Sequence, residues 1–289
     1  MLTLAITSGL GLGAMYGLIA LGFYMTYAVS STVNFSQGTS VMLGAVLLFV
    51  FAQEMHWPFA LSVVAALAIC AVWGVLVERF AVRPFVRAGS NAWLMSTVAV
   101  GIVLENVVLF TFGKEPRSFP SPFSGSHLQL GDVDIYPLQL AIPLVGIGLA
   151  IALALFTRHT RTGRALSAIV QNPTAASLMG IDVSVAITAS YAISTVFAGV
   201  AGILIAPLVT VSADLGTLFG LKAFAVAILG GISSARGVVI AGFLYGLTEA
   251  LVTSYVGSSY TNILTFTLVI VALAIRPHGL FGAAAVKKV

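Results

Sequence analysis

The chain has 289 residues, of which 59% are hydrophobic and 8% charged. A soluble domain carries roughly 25% charged residues, because its surface must face water. The composition excludes a soluble enzyme, a nucleic-acid-binding domain and a disordered chain, and leaves an all-α polytopic membrane protein. The net charge of +4 does not by its sign identify a partner, since membrane proteins keep Lys and Arg for the cytoplasmic side.

A membrane span needs about 20 apolar residues, fewer where it is broken or buried in protein. In chain order the predicted spans are 4–28, 38–52, 59–78, 91–112, 137–156, 184–206, 218–232, 238–256 and 261–275. The second and seventh are short and interrupted by Gly, so eight or nine membrane segments are expected. No charged residue precedes Glu54 and no basic one precedes Arg79. A cleavable signal peptide begins with positive charge, so the first apolar run is expected to stay as a span. Cys70 is the single cysteine and lies in an apolar run, which reads as a buried, inert thiol.

The basic residues assign the sides. Arg79, Arg83 and Arg87 follow the third span, and Arg158, Arg161 and Arg164 follow the fifth. Arg236 follows the seventh, and Arg276, Lys287 and Lys288 follow the last. Nine alternating spans put these ten of the thirteen basic residues on one side, with the N-terminus opposite. The positive-inside rule makes that side cytoplasmic. Lys114, Arg117 and Lys222 fall on the other side. Trp57, Trp93, Tyr136, Tyr255 and Tyr260 lie near span ends, where aromatic belts form.

Two connections are long. The outer one, 113–136, carries Lys114-Glu115-Pro116-Arg117, and its alternation from His127 to Ile135 around Gly131-Asp132 predicts a small hairpin. It is expected to be periplasmic, with Ser124 open to solvent. The inner one, 157–182, predicts two short amphipathic helices. Asn172 caps the second, Pro173 occupies its first position and Gly180 stops it. A helix–Pro–helix placed between two spans reads as a docking surface.

Several chemistries are absent from the pattern. The only Gly-Lys pair, Gly113-Lys114, is followed by Glu115, so the chain has no P-loop for ATP. Gly9-Leu-Gly11-Leu-Gly-Ala14 lacks the flanking strand and acidic residue of a dinucleotide site, and Gly13-Ala-Met-Tyr-Gly17 suits close helix packing instead. The four histidines have no ligand spacing, so no metal site is expected, and no nucleophile–base arrangement marks an enzyme.

Polar groups inside spans are costly, and ionisable ones are functional candidates. Glu105 and Glu249 each read either as a hydrogen-bonded structural carboxyl or as a pathway group. Lys222 reads either as a snorkelling lysine or as a partner of Asp214. Asn34-Phe35-Ser36-Gln37 opens the second span, and Gly230-Gly231 closes the seventh. Short, Gly-interrupted segments in corresponding places of two halves point to a pathway built on broken helices. The candidate pathway set is therefore Asn34, Phe35, Ser36, Gln37, Glu105, Lys222, Phe224, Gly230, Gly231 and Glu249. The chain reads as a single permease domain over 1–289, with a pseudo-repeat at about 1–130 and 137–289 suggested by the order of short spans.

The chain resembles the permease subunits of branched-chain amino acid ABC importers, the LivH-like type. The resemblance runs nearly end to end. It includes Tyr16-Gly-Leu-Ile-Ala-Leu-Gly22, Asn34-Phe-Ser-Gln-Gly38, Glu78-Arg79 with Arg83-Pro84, and Gly163-Arg164-Ala165 through Ala175-Ala176 to Leu178-Met-Gly180-Ile-Asp182. It continues with Leu221-Lys-Ala-Phe224, Ile228-Leu-Gly-Gly231, Gly246-Leu-Thr-Glu249, Arg276-Pro277 and Gly279-Leu-Phe-Gly282.

The resemblance implies a bacterial inner-membrane subunit importing branched-chain or other hydrophobic amino acids by alternating access. Its partners would be a second homologous permease, two cytoplasmic ATPases that bind ATP and Mg, and a periplasmic solute-binding protein. Arg164, Ala165, Ala168, Asn172, Pro173, Ala176 and Gly180 would lie in the segment that couples to the ATPase. Gln171-Asn172-Pro173 stands where relatives often carry an acidic residue, and Glu105 where an amide is common. The family also contains transporters of urea, amides and aromatic acids. The competing reading is a self-sufficient secondary transporter or channel, in which Glu105 or Glu249 would be an ion site.

Overall fold

The computed structural model describes residues 2–120, 128–130, 133–135 and 137–282. Lipid offers the backbone no hydrogen-bonding partner, so spanning segments must satisfy their own amide groups as helices. The order is α1 (Leu2–Ser30), α2 (Gln37–Phe49), α3 (Phe59–Leu76), α4 (Arg83–Arg87) and α5 (Trp93–Phe112), then strands β1 (Leu128–Leu130) and β2 (Val133–Ile135). There follow α6 (Pro137–His159), α7 (Arg161–Gln171), α8 (Pro173–Leu178), α9 (Val183–Ile205), α10 (Leu215–Gly230), α11 (Ala235–Tyr255) and α12 (Ser258–Ile275). Helix α2 continues as a π-helical turn at Val50–Glu54, and α3 as another at Val77–Val82.

Among the described residues, eight helical segments are long and apolar enough to cross a membrane, and α10 is a shorter apolar helix of 16 residues. The strands pair antiparallel with Leu128 opposite Ile135, which is the hairpin the alternation predicts. Residues 121–127, Gly131, Asp132 and Tyr136 lie outside the described residues, and so do Lys287 and Lys288. The expectation for Ser124 falls among them.

The contacts at the helix ends show how the segments alternate. Arg117 pairs with Glu54 after α2, and its backbone exchanges hydrogen bonds of 2.9 and 2.8 Å with Val211 after α9. Its guanidinium also donates to the Phe112 carbonyl at the end of α5 (2.8 Å) and lies 4.4 Å from the Phe112 ring centre. Toward the opposite end the Thr32 and Tyr191 hydroxyls lie 2.7 Å apart, which joins the end of α1 to the N-terminal half of α9. There Arg83 holds the buried Glu78 through two hydrogen bonds of 2.8 and 2.9 Å and donates to Thr188 Oγ1. Leu280 N donates to the Leu229 carbonyl (2.7 Å), tying the C-terminal segment to the end of α10 at this same pole.

Helix α1 forms the centre of the bundle, packed against α6, α9, α10 and α11. Tyr16, Leu18, Ile19 and Leu21 are almost fully buried. Without a hydrophobic force between helices in lipid, association depends on close packing of small residues. Gly9, Gly13 and Gly17 recur along α1 and face Gly242 and Gly246 of α11. A Cβ added at Gly13 would lie 2.8 Å from Phe243 Cα, and one at Gly242 would lie 2.7 Å from Gly17 Cα. Both added atoms would meet backbone, which cannot step aside. Gly242→Leu is therefore expected to separate α1 from α11 and lower the thermal unfolding midpoint of the purified protein sharply. Ala241→Val, at a buried position without a helix-crossing glycine, provides the comparison. An unchanged midpoint for Gly242→Leu would contradict this packing.

Candidate functional site: a lateral groove at the broken helices

The connection from α1 to α2 turns back inside the protein. Asn34 Oδ1 accepts from Ser36 N (3.1 Å) and from Ser36 Oγ (2.7 Å), which folds the turn on itself. Gln37 Nε2 donates to the Ser194 carbonyl (2.9 Å), and the Ser194 hydroxyl lies 2.9 Å from Gln37 Oε1 and 2.8 Å from the Gly22 carbonyl. Ser194 is the midpoint of α9, so α2 begins at the level of that helix's centre. Phe35 N donates to Thr97 Oγ1 of α5 (3.3 Å). Asn34, Ser36 and Gln37 have no exposed surface. Their polar atoms meet protein, as unwound backbone away from water requires.

The start of α10 meets the start of α2. A Cβ at Gly220 would lie 2.5 Å from Gly38 Cα. This approach and the flanking α5 shape a groove of about 360 Å³. Phe23, Phe35 and Phe224 form one wall, with ring centres 5.2 Å apart for Phe35–Phe224 and 5.4 Å apart for Phe23–Phe224. Gly38, Thr39, Gly101, Thr217 and Gly220 supply small and hydroxyl-bearing surface. Glu105 is the one carboxylate among the lining residues, and Thr217 Oγ1 donates to its Oε2 at 3.3 Å. Gly101, one turn before Glu105 on α5, faces Ser36 at the start of α2. A carboxylate and a helix N-terminus, of opposite polarity, thus share one small groove.

The candidate pathway residues separate into four groups. Phe35, Phe224 and Glu105 line the groove; Asn34, Ser36 and Gln37 lie behind it and hold its shape. Lys222 and Glu249 face away from it. Lys222 Nζ donates to Glu249 Oε1 at 2.6 Å, both side chains are buried, and the pair ties α10 to α11. Lys222 therefore pairs with Glu249 and not with Asp214, whose Oδ1 accepts from Ser212 Oγ (2.6 Å). Tyr16 and Tyr245 stand edge to face beside it with ring centres 5.4 Å apart.

Gly230 and Gly231 lie at the other end of α10. A Cβ at Gly230 would lie 2.6 Å from Val238 Cα, and one at Gly231 2.5 Å from Gly282 N, so this turn is a tight crossing of α10, α11 and the C-terminal segment. It is the start of the short seventh helix, not its end, that joins the Asn34 turn. Sequence reasoning passed over Phe23, Thr39, Gly101, Thr217, Gly220 and Ser194. The Leu215–Gly220 stretch, with two glycines in six residues, carries a signal for its part; Ser194 carries none.

On the basic end, α7 and α8 form the expected helix pair. Thr160 caps α7 by accepting from Gly163 N (2.9 Å), and Asn172 caps α8 by accepting from Ala175 N (3.0 Å). Pro173 opens α8, and Gly180 ends it with φ of +82°. Leu166, Ile169 and Ala176 are buried in the main core, and Ala168 packs against it. The outward surface is made by Arg164, Val170, Asn172, Pro173, Leu178, Met179 and Gly180, with Leu178 and Met179 each 83% exposed. Ala165 is half-buried. Ala176 thus serves the chain's own packing and presents nothing outward.

The buried ion pair generates a prediction. Removing one partner of such a pair costs about 3–5 kcal/mol, because the other charge stays buried alone. Lys222→Met and Glu249→Leu are each expected to lower the unfolding midpoint of the purified protein strongly, and the double variant to recover much of the loss. Additive losses in the double variant would mean that the two groups do not interact.

The chain matches the family described as "Branched-chain amino acid transport system / permease component" over residues 5–273. It is 32% identical to the high-affinity branched-chain amino acid transport system permease protein LivH of Escherichia coli K12, covering 98% of this chain and 96% of that protein. It is 29% identical to the permease protein BraD of Pseudomonas aeruginosa, covering 98% and 97%. A more distant relative is the galactose/methyl galactoside import permease protein MglC of Salmonella typhimurium, at 27% identity over 85% of this chain and 76% of that protein. No solved structure matches the chain. With eight helical segments of membrane-spanning length, a groove at its broken spans and a family match over almost its full length, the chain belongs to the permease components of branched-chain amino acid transport systems.

Proposed function

We propose that this chain carries branched-chain or other hydrophobic amino acids across the inner membrane as the permease subunit of an ATP-driven importer. The observation that carries this reading is the composition of the groove. An amino acid bears an ammonium, a carboxylate and, in this class, an aliphatic side chain. Glu105 offers an anion to the ammonium, and the N-terminus of α2, with Gly38 and Thr39 in the lining, offers its positive dipole end to the carboxylate. The rings of Phe23, Phe35 and Phe224 offer an apolar wall to the side chain. A sugar would leave the Glu105 charge uncompensated, so the groove favours a zwitterion over the galactoside of the more distant relative.

Alternating access would open this groove to each side in turn. A second homologous permease would complete the path, a periplasmic binding protein would deliver the solute, and two cytoplasmic ATPases holding ATP and Mg would drive the cycle. Leu178 and Met179 form the exposed apolar tip on which an ATPase would seat. The basic end, with Arg79, Arg83, Arg87, Arg158, Arg161, Arg164, Arg236 and Arg276, is cytoplasmic by the positive-inside rule, and the N-terminus is outside.

Three measurements test this. In vesicles containing the assembled importer, Glu105→Gln is expected to lower leucine uptake at least about tenfold, the scale of a lost charge-assisted hydrogen bond, while basal ATPase activity holds. Wild-type uptake by this variant would remove Glu105 from the path. Leu178→Asp with Met179→Asp is expected to abolish transport-coupled ATPase activity without loss of the folded permease, and coupled activity in that variant would place the docking surface elsewhere. For orientation, Cys70 is buried and gives little background. A cysteine at exposed Lys114 should react with an impermeant thiol reagent in intact spheroplasts, and one at exposed Thr174 only after lysis. The reverse pattern would invert the topology.

A further inference from the structure

A second cavity, of about 530 Å³, opens on the flank of the bundle between α1, α6 and α11, separate from the Glu105 groove. Its walls are mostly aliphatic, with Leu21 of α1, Ile147 and Ile151 of α6 and Val239 of α11 among them and Tyr24 and Thr157 as their hydroxyl-bearing members, and Arg158 and Arg236 also line it. Both arginines are exposed, and neither has an acidic or hydrogen-bonding partner among the described residues. They belong to the basic pole, Arg158 in the last turn of α6 and Arg236 in the first turn of α11.

The length of the cavity matches one leaflet. From Ile147 to Arg158 the helix rises about 16 Å at 1.5 Å per residue, and half of a hydrocarbon core is about 15 Å. The apolar walls thus run from the arginines toward the bilayer centre, along a helix that is little buried by the rest of the protein. An apolar slot one acyl chain deep, ending in two unpaired guanidinium groups at headgroup level, fits a molecule with a fatty chain and an anionic phosphate.

We propose that this cavity is a specific site for an anionic glycerophospholipid of the leaflet on the basic side, with an acyl chain against Ile147, Ile151 and Val239 and its phosphate between Arg158 and Arg236. A helix of a second permease subunit would fill the slot but leave both guanidinium groups without an anion, so the charge favours the lipid. That this leaflet is the cytoplasmic one rests on the orientation proposed above. The lipid chemistry does not, and the test below does not read sidedness.

The test is native mass spectrometry of the purified importer complex, delipidated and then exposed to equal amounts of phosphatidylglycerol and phosphatidylcholine. Two arginines near a headgroup predict a preference for phosphatidylglycerol of roughly thirtyfold. Arg158→Gln with Arg236→Gln should remove that preference, whereas Arg87→Gln, an exposed arginine of the same pole outside the cavity, should keep it. Ala150→Phe, which places a ring in the slot and keeps both arginines, should lower retention of both lipids. Equal retention of the two lipids by the wild type would overturn the proposal. So would an equal loss of preference in Arg87→Gln, which would reduce the effect to general surface charge. A cysteine at Ile151 that crosslinks to the second permease subunit would assign the cavity to that interface instead.

Discussion

The architecture depends on one constraint, that a chain turning back inside a membrane must satisfy every backbone and side-chain polar group without water. The turn at Asn34–Gln37 does this with its own side chains and with Ser194 and Gly22, all within 3.1 Å for the bonds that close it. Because these bonds anchor the start of α2 at the centre of α9, the helix ends inside the protein. Its first-turn residues Gly38 and Thr39 then line the groove beside α5 and α10.

Close approach of backbones makes that space small. Gly38 against Gly216 and Gly220 brings α2 and α10 nearer than any side chain would allow, and Gly13 and Gly242 do the same for α1 and α11. Lys222 and Glu249 add a charge pair between α10 and α11, so α10 is held from behind by an ion pair and in front by glycine contact. A rigid α10 keeps Phe224 and Thr217 in register with Phe35 and Glu105. The groove is in this sense a by-product of how the short helices are secured, with its chemistry set by the few side chains left facing inward.

The two ends of the molecule divide other tasks. At the pole of Arg117 the segments after α2, α5 and α9 are knitted together by one residue, its guanidinium holding Glu54 and the Phe112 carbonyl and its backbone pairing with Val211. At the basic pole the α7–α8 pair is seated by Leu166, Ile169 and Ala176, which leaves Leu178 and Met179 standing out on a rigid base.

Much of this was legible in the sequence for reasons that are local. Apolar runs of span length, the distribution of arginines, and the Asn172, Pro173 and Gly180 signals each depend on a few neighbouring residues, and the helices and caps follow them. The pairing of Leu128–Leu130 with Val133–Ile135 follows the alternation in the sequence. Which face of a span looks inward was not legible. In an all-apolar helix the periodic contrast between faces that marks a soluble helix is missing, since lipid and protein interior are both apolar. Lys222, Glu249 and Glu105 therefore looked alike as costly charges in spans. Only the packing of α10 on α11 joined the first two and left the third facing the groove. Gly230-Gly231 and Gly216–Gly220 likewise looked equivalent as glycine interruptions. The tertiary structure separated them, because one end of α10 crosses the C-terminal segment and the other meets the α2 turn, and contact between residues far apart in the chain has no local signature.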